Sequence, residues 1–283
     1  MTDKQLDKFY TKEELAIELI DKTKKILNLN ENTLYLEPSA GSGNFSRHLN
    51  RIHAFDIKPE GENIKQANFL ELDLEYNDYV AIGNPPFGNR CSLAIDFFNK
   101  CSFHSKSIAM ILPITFLKWS VQKHLNPEFK LIYTENLEEN SFTLSGEEYS
   151  VRCCFQIWTK EDIGKDLRLK KAPAITHEDF KIWQHNATEN SRRYLDEDWE
   201  LAYYRQGYKD YNKIFYKDKD YAELKDIVYN TNIQIFFIKP KDEKIRERII
   251  NMDLNILAKR NMTTPGFGKA DFVAYYEELF KED

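Results

Sequence analysis

Leu36-Glu37-Pro38-Ser39-Ala40-Gly41-Ser42-Gly43-Asn44-Phe45 follows a short apolar run at 33–37 and opens a segment with helical character. Two glycines one residue apart let a backbone turn tightly and approach a ligand without a Cβ clash. A turn between a strand and a helix lies at the carboxyl end of that strand, where open α/β sheets bind cofactors. A lone Gly-x-Gly is common as plain structure, so the weight falls on what comes next. Asp56 ends the second apolar run, 52–56, and stands 19 residues after Glu37, where an acidic side chain can hold a ribose diol by two hydrogen bonds. Phe45-Ser46 replaces the third glycine of the dinucleotide fingerprint, and no lysine follows to make a P-loop. A pyrophosphate ligand is disfavoured; a nucleoside-bearing cofactor without phosphates fits better.

Working outward, seven apolar runs read as strands: 33–37, 52–56, 66–70, 79–83, 107–112, 129–134 and 151–158. Helical patterns at 12–27, 43–50, 91–101 and 114–124 fit between them, which is the alternation of a βαβ sheet. The last two strands are close enough in sequence to form an antiparallel pair at the sheet edge. In the first helix Leu15, Leu19, Lys22 and Ile26 share a face, with Thr11 as N-cap and Glu14 three residues on. Around 160–176 the chain turns to Lys, Asp, Gly and Pro, the composition of a linker. Beyond it come an aromatic-rich segment at 194–229, a strand at 232–238, a charged helix at 241–258, a turn at 263–268 and a last helix near 270–280. The expected organisation is a domain at 1–160 and a smaller α+β extension at 161–283.

The run 79–83 ends in Asn84-Pro85-Pro86-Phe87. Two prolines exclude continuation as helix or interior strand, because Pro lacks the N–H and fixes φ. The result is a stiff corner with an amide side chain, a carbonyl and an aromatic ring. Such a set can accept two hydrogen bonds from a planar amino group and cover the face of the ring that carries it. A proline-stiffened loop without chemistry is the competing reading.

The 283 residues are 42% hydrophobic and 30% charged, enough for a real core under a solvated surface. No secretory signal is expected at the start, and no apolar stretch approaches the ~18 residues that span a bilayer. The four cysteines, Cys91, Cys101, Cys153 and Cys154, lack CxxC spacing and read as buried thiols of a cytoplasmic protein. No metal pattern is formed. The net charge of −6 belongs to residues 1–150, with 16 Lys+Arg against 22 Asp+Glu; residues 151–283 hold 24 of each. Any polyanion would meet the second part more readily.

Taken together, these motifs resemble those of S-adenosylmethionine-dependent adenine-N6 DNA methyltransferases, the Rossmann-like class found in type I and many type II restriction–modification systems. Phe9-Tyr10-Thr11 matches the family's F-[FY]-T element, Glu37–Phe45 its glycine motif, Asp56 its strand-two acid and Asn84–Phe87 its [DN]-P-P-[FYW] corner. Asn68-Phe69-Leu70 stands where the family has Asp-Phe-Leu, and Lys12 where many members have Pro. The resemblance covers residues 5–160. It implies a class I methyltransferase sheet of seven mostly parallel strands with an antiparallel edge strand. It also implies S-adenosylmethionine as cofactor, bound by Phe9, Tyr10, Thr11, Glu37, Ser39, Ala40, Gly41, Gly43, Asp56, Asn68, Phe69 and Asn84. Catalysis is expected from Asn84, Pro85, Pro86 and Phe87, acting on an adenine flipped out of DNA.

Substrate contacts are expected from Phe142, in the loop with Ser141 and Gly146, and from Arg205, Lys259 and Arg260; core packing is at least as good a reading of Phe142, and a charged helix end favoured by the macrodipole is the better reading of Lys259-Arg260. For the stretch Tyr203–Lys209 a stacking surface for single strands and a half-buried amphipathic segment are equally good readings. DNA is the expected partner, with a cognate nuclease left open. RNA adenosine, a glutamine amide in protein, and a non-catalytic cofactor-binding subunit are the alternatives.

Overall fold

The computed structural model describes residues 10–75, 78–138, 142–144, 147–149, 151–260 and 265–280. The chain divides into two compact units, Met1–Lys171 and Ala172–Asp283.

In the first unit the elements run β1 (Tyr10–Thr11), α1 (Glu13–Ile26), β2 (Tyr35–Glu37), β3 (Ile52–Asp56), β4 (Lys65–Gln66), β5 (Tyr79–Gly83), α2 (Ser92–His104), β6 (Ser105–Pro113), α3 (Trp119–Gln122), β7 (Lys130–Asn136), β8 (Phe142–Leu144), β9 (Glu147–Tyr149) and β10 (Cys153–Thr159). Seven of these strands form one sheet in the order β4-β3-β2-β5-β6-β10-β7. Neighbours are parallel from β4 through β6, and β10 runs antiparallel to both β6 and β7. The mostly parallel, Rossmann-like sheet expected from the sequence is therefore present, with its antiparallel pairing at the β10–β7 edge. β5 and most of β6 are buried, as befits central strands covered on both faces. All four cysteines are buried and free.

Some local expectations fail for definable reasons. Thr11 does not cap α1: it lies in β1, and the N-cap position is held by Lys12, whose side chain does not cap the helix. The buried face of α1 is Ala16, Leu19, Ile20 and Thr23, while Lys22 reaches Glu135 on β7 at 2.6 Å. The helix expected at 43–50 is only a 3-10 turn at Ser46–His48. Phe45 and Leu49 are its buried apolar side chains, and Arg47 donates to the carbonyls of Ser42 and Gly43. The strand at 66–70 shortens to β4 and then a 3-10 turn at Phe69–Glu71. The helix at 114–124 resolves into a 3-10 turn at Ile114–Leu117 and the short α3. Arg168 fastens the following segment to this unit, donating to the carbonyls of Gln122, Leu125, Asn126 and Phe129.

A small separate sheet, β1-β8-β9, pairs Thr11 with Phe142. Ser141 and Gly146 lie outside the described residues.

The second unit contains β11 (Phe180–His185), β12 (Leu201–Gln206), β13 (Ile214–Tyr216), α4 (Lys217–Asn230), β14 (Gln234–Pro240), α5 (Glu243–Ile250), α6 (Leu254–Ala258) and α7 (Lys269–Phe280). Its sheet is antiparallel in the order β11-β14-β12-β13, over a core that includes Trp199, Tyr203, Phe215, Phe236 and Phe272. The single helix expected at 241–258 breaks at Asn251–Asp253. Asp242 caps α5 at the Ile245 amide, and Asp253 caps α6 at the amides of Asn255 and Ile256.

Candidate active site

The carboxyl ends of β2, β3 and β5 converge on one cleft, and each contributes a loop that is tied to the next. From β2 the chain turns through Gly41 (φ +53°) and Gly43 (φ +84°). At Gly41 a Cβ would stand 3.1 Å from the Tyr10 ring, so only glycine combines this backbone with that contact. Asp56, at the end of β3, fixes the turn: Oδ2 accepts the Gly41 amide at 2.8 Å and Oδ1 the Lys58 amide at 2.7 Å. One lone pair on each oxygen is still available to further donors.

Glu37 closes β2 and is 1% exposed. Gly83, at the end of β5 with φ +144°, leaves room for it, since a Cβ there would lie 3.2 Å from Glu37 Cγ. Burial pushes the Glu37 carboxyl up to about 8, against hydrogen bonds from Ser46 that pull it down; Asp56 adds to the rise and Arg47 opposes it. Its Oε2 is buried without a hydrogen-bond partner. A buried polar atom left unmatched is costly unless something else meets it.

The acceptor corner leaves β5 at Asn84. Ser39 Oγ donates to the Asn84 carbonyl at 3.2 Å, joining the glycine turn to the corner. Asn84 Nδ2 donates to Thr11 Oγ1 at 3.3 Å, and Asn44 Nδ2 to the Thr11 carbonyl at 2.6 Å. Tyr10 reaches over the turn and donates its hydroxyl to Glu60 Oε2 at 2.8 Å. The two-residue strand β1 is thus a strap across both loops. Under it lies a cavity of about 40 Å³ lined by Tyr10, Thr11, Glu37, Ser39, Gly41 and Asn84. A larger open groove, about 800 Å³, runs along Ser42, Gly43, Arg47, Asn50 and Gly61, but Glu37, Asp56 and Asn84 do not line it. Glu37 and Asn84 line the small cavity, and Asp56 is tied to its wall through the Gly41 amide.

The aromatic and amide groups expected to face ligands are mostly covered. Phe87 is 4% exposed and Phe142 fully buried. Phe69 is buried between Phe55 and Phe97. Asn68 uses its side-chain oxygen to accept the Leu70 amide at 3.3 Å, capping the 3-10 turn. Pro85 is buried, Pro86 is half-buried, and Ala40 lines the small cavity, its amide donating to the Phe55 carbonyl. Phe9 lies outside the described residues. In the second unit Arg205 donates to the Phe267 carbonyl, Asn186 and Gln234, and Arg260 makes a bidentate pair with Glu278 at 3.0 and 3.1 Å. Lys259 is exposed at the end of α6.

Three contributors escape a motif reading. Glu60 and Asn44 have roles visible only as contacts to Tyr10 and Thr11. Ile57 is 56% exposed directly after Asp56, where an apolar side chain can cover a ring held by its neighbour. The adjacency to Asp56 was the one signal for it in the sequence. Downstream of the corner, Arg90 (φ +51°) and Cys91 (φ +66°) are both left-handed, a costly backbone of the kind found beside functional sites.

No family model and no curated protein matches the chain. Among solved structures it is similar to the modification subunit of a provisionally assigned type I restriction enzyme from Vibrio vulnificus, at 15% identity and TM-score 0.44, over 54% of this chain and 44% of that one. A provisionally assigned RNA methyltransferase from Pyrococcus horikoshii is similar at 17% identity and TM-score 0.44, over 55% of this chain and 87% of that one. A third, a provisionally assigned class I S-adenosylmethionine-dependent methyltransferase from Listeria monocytogenes, is similar at 15% identity and TM-score 0.44, over 57% and 64%. The chain therefore spans less than half the length of the Vibrio subunit.

Proposed function

We propose that this chain transfers the methyl group of S-adenosylmethionine to the N6 amino group of an adenine in DNA. The observation that carries the reading is the link from Ser39 through Asn84 to Thr11, which sets a glycine turn and an Asn-Pro-Pro-Phe corner around one cavity with a buried, unmatched carboxyl oxygen. The residues fit the cofactor. Gly41 lets the backbone come close, Asp56 has lone pairs for ribose hydroxyls, and Glu37, protonated in the ligand-free fold, would become a counter-charge to a cation on releasing its proton. The bound cofactor supplies an electrophilic sulfonium methyl.

The rest follows from the chain's own groups. An exocyclic amine conjugated with a purine is a poor nucleophile, because its lone pair is delocalised. Asn84 Oδ1 and the Pro85 carbonyl accept hydrogen bonds from its two N–H groups, favour a pyramidal nitrogen and return the lone pair to it. Positioning and fixed dipoles of this kind supply much of such a rate. Phe87 covers the face of the base, a stack worth about 1–3 kcal/mol. The base leaves the duplex first, at a cost of a few kcal/mol. Ligand pockets measure roughly 300–1,000 Å³, so a 40 Å³ cavity requires the Tyr10–Thr11 strap to lift and the corner to uncover Phe87.

The test is incubation with methyl-labelled cofactor and, separately, duplex DNA, single-stranded DNA, RNA or cell protein, followed by digestion and identification of the labelled product. N6-methyladenine from DNA is expected. Label only in RNA or in a glutamine amide reassigns the acceptor, and cofactor binding without any labelled product makes the chain a non-catalytic subunit.

A further inference from the structure

The tip of the β12–β13 hairpin carries an aromatic stack that the proposed reaction does not use. Tyr208 lies face to face on Tyr204, with ring centroids 3.8 Å apart and planes 23° from parallel. Tyr204 is buried and stands edge-on to Phe215 at 5.1 Å. Lys213 Nζ sits 4.4 Å from the Phe215 ring centroid and pairs with Glu223 at 2.9 Å, closing the inner side of the stack. Tyr208 is 40% exposed, and with one face on Tyr204 its other face is turned outward.

Residues 210–212 of the tip are tied down by hydrogen bonds, mostly to residues 253–255 and Pro265. Asp210 accepts the Asn212 amide at 3.0 Å and the Asn255 side chain at 3.1 Å. Asn255 in turn accepts the Tyr211 amide at 2.8 Å, and the Tyr211 hydroxyl donates to the Pro265 carbonyl at 2.8 Å. Asn212 bridges to Asp253 and to the Leu254 amide. The one carboxylate of the tip is thereby engaged, while Lys209, next to Tyr208, is exposed and makes no ion pair among the described residues. Residues 201–250 hold 11 Lys+Arg against 8 Asp+Glu, so the surrounding chain is cationic.

We infer that Tyr208 is a stacking platform for an unstacked base of DNA, with Lys209 meeting the adjoining phosphate. A preformed flat ring with a cation beside it matches a nucleotide, since every base has a π-face and every linkage a charge. A preformed platform also loses little freedom on binding. The inference rests on the proposed reading for the identity of the polymer, but it is measured without cofactor, so its failure leaves methyl transfer untouched.

The experiment is fluorescence anisotropy with a labelled thymidine strand of about 15 nucleotides, within the site sizes of single-strand binders, against an abasic strand of equal length. The full chain is expected to prefer the base-bearing strand about 10-fold. Tyr208→Ala should abolish that preference and leave abasic affinity unchanged. Tyr208→Trp should retain it, with indole emission quenched on binding; this variant decides the matter if the alanine form does not fold. Lys209→Gln should weaken both strands and lower the salt slope by about 0.7. Equal affinity of the full chain for both strands, an unaltered preference in Tyr208→Ala, or unquenched Tyr208→Trp would overturn the inference. Preference for a uridine strand over thymidine by 10-fold or more would overturn its assignment to DNA.

Discussion

The glycine-turn cleft of the first unit and the cationic side chains of the second differ in how their polar groups are met. In the cleft, Glu37 is buried with an oxygen that nothing satisfies, and Asp56 keeps lone pairs beyond its two amide bonds. In the second unit Arg205 and Arg260, which a sequence reading offers to substrate, are bound to groups of their own unit. Folding normally matches its buried polar groups. The proposed ligand cleft keeps an unmatched group at the end of a parallel strand, whereas the two arginines are matched within their own unit.

Asn84→Ala should break this contrast most severely. Loss of the acceptor should lower methyl transfer by about 10²–10³-fold, the usual effect of deleting one group that stabilises a transition state, while cofactor affinity changes little. Activity within a few-fold of the full chain would remove the corner from the chemistry.

The next largest effect concerns pH. Glu37, pushed to about 8 from an ordinary 4.5, keeps its proton in the fold where the unfolded chain has lost it. The native state then binds more protons between those values, so stability without ligand should fall as pH rises from about 4.5 to about 8 and level off above. Affinity for a cationic cofactor should move the other way, tightening up to about pH 8 with proton release. Asp56 and Arg47 are the charged neighbours, and Glu37→Gln should flatten both profiles. Melting curves and calorimetry in buffers of different ionisation heat read them; tighter binding at low pH would contradict the assignment.

For Arg205→Ala the expected loss is about 2–3 kcal/mol of unfolding free energy, from hydrogen bonds to a half-buried charge, read by denaturant titration. Unchanged stability with lost DNA binding would restore it as a substrate contact. Smallest is Arg260→Ala, within about 1 kcal/mol, because its pair with Glu278 is about half exposed.

The backbone of the cleft was largely legible in the sequence because it depends on residues close together in the chain. Glycine spacing, an acid ending a strand and a proline corner each dictate their own backbone. The strap was only partly legible. Thr11 looks like a helix cap from its neighbours, and only the fold brings Asn84 to it across 73 residues. The same holds for Arg205, whose partner Phe267 lies 62 residues away. Aromatic rings were less legible for a different reason: Phe69, Phe87 and Phe142 are buried in the fold, and hydropathy does not distinguish a ring that packs from one that stacks on a ligand. The 43–50 segment shows the limit of periodicity, because two buried apolar side chains did not sustain an α-helical turn there.

The cleft is argued to have two halves, a cofactor half at Glu37–Asp56 and an acceptor half at Asn84–Phe87. The most direct measurement titrates S-adenosylmethionine against the full chain and Asn84→Ala by calorimetry and counts N6-methyladenine formed in DNA by each. Binding to both proteins, with methylation by the full chain alone, is the predicted result. Methylation by both, or absence of cofactor binding to the full chain, would contradict it.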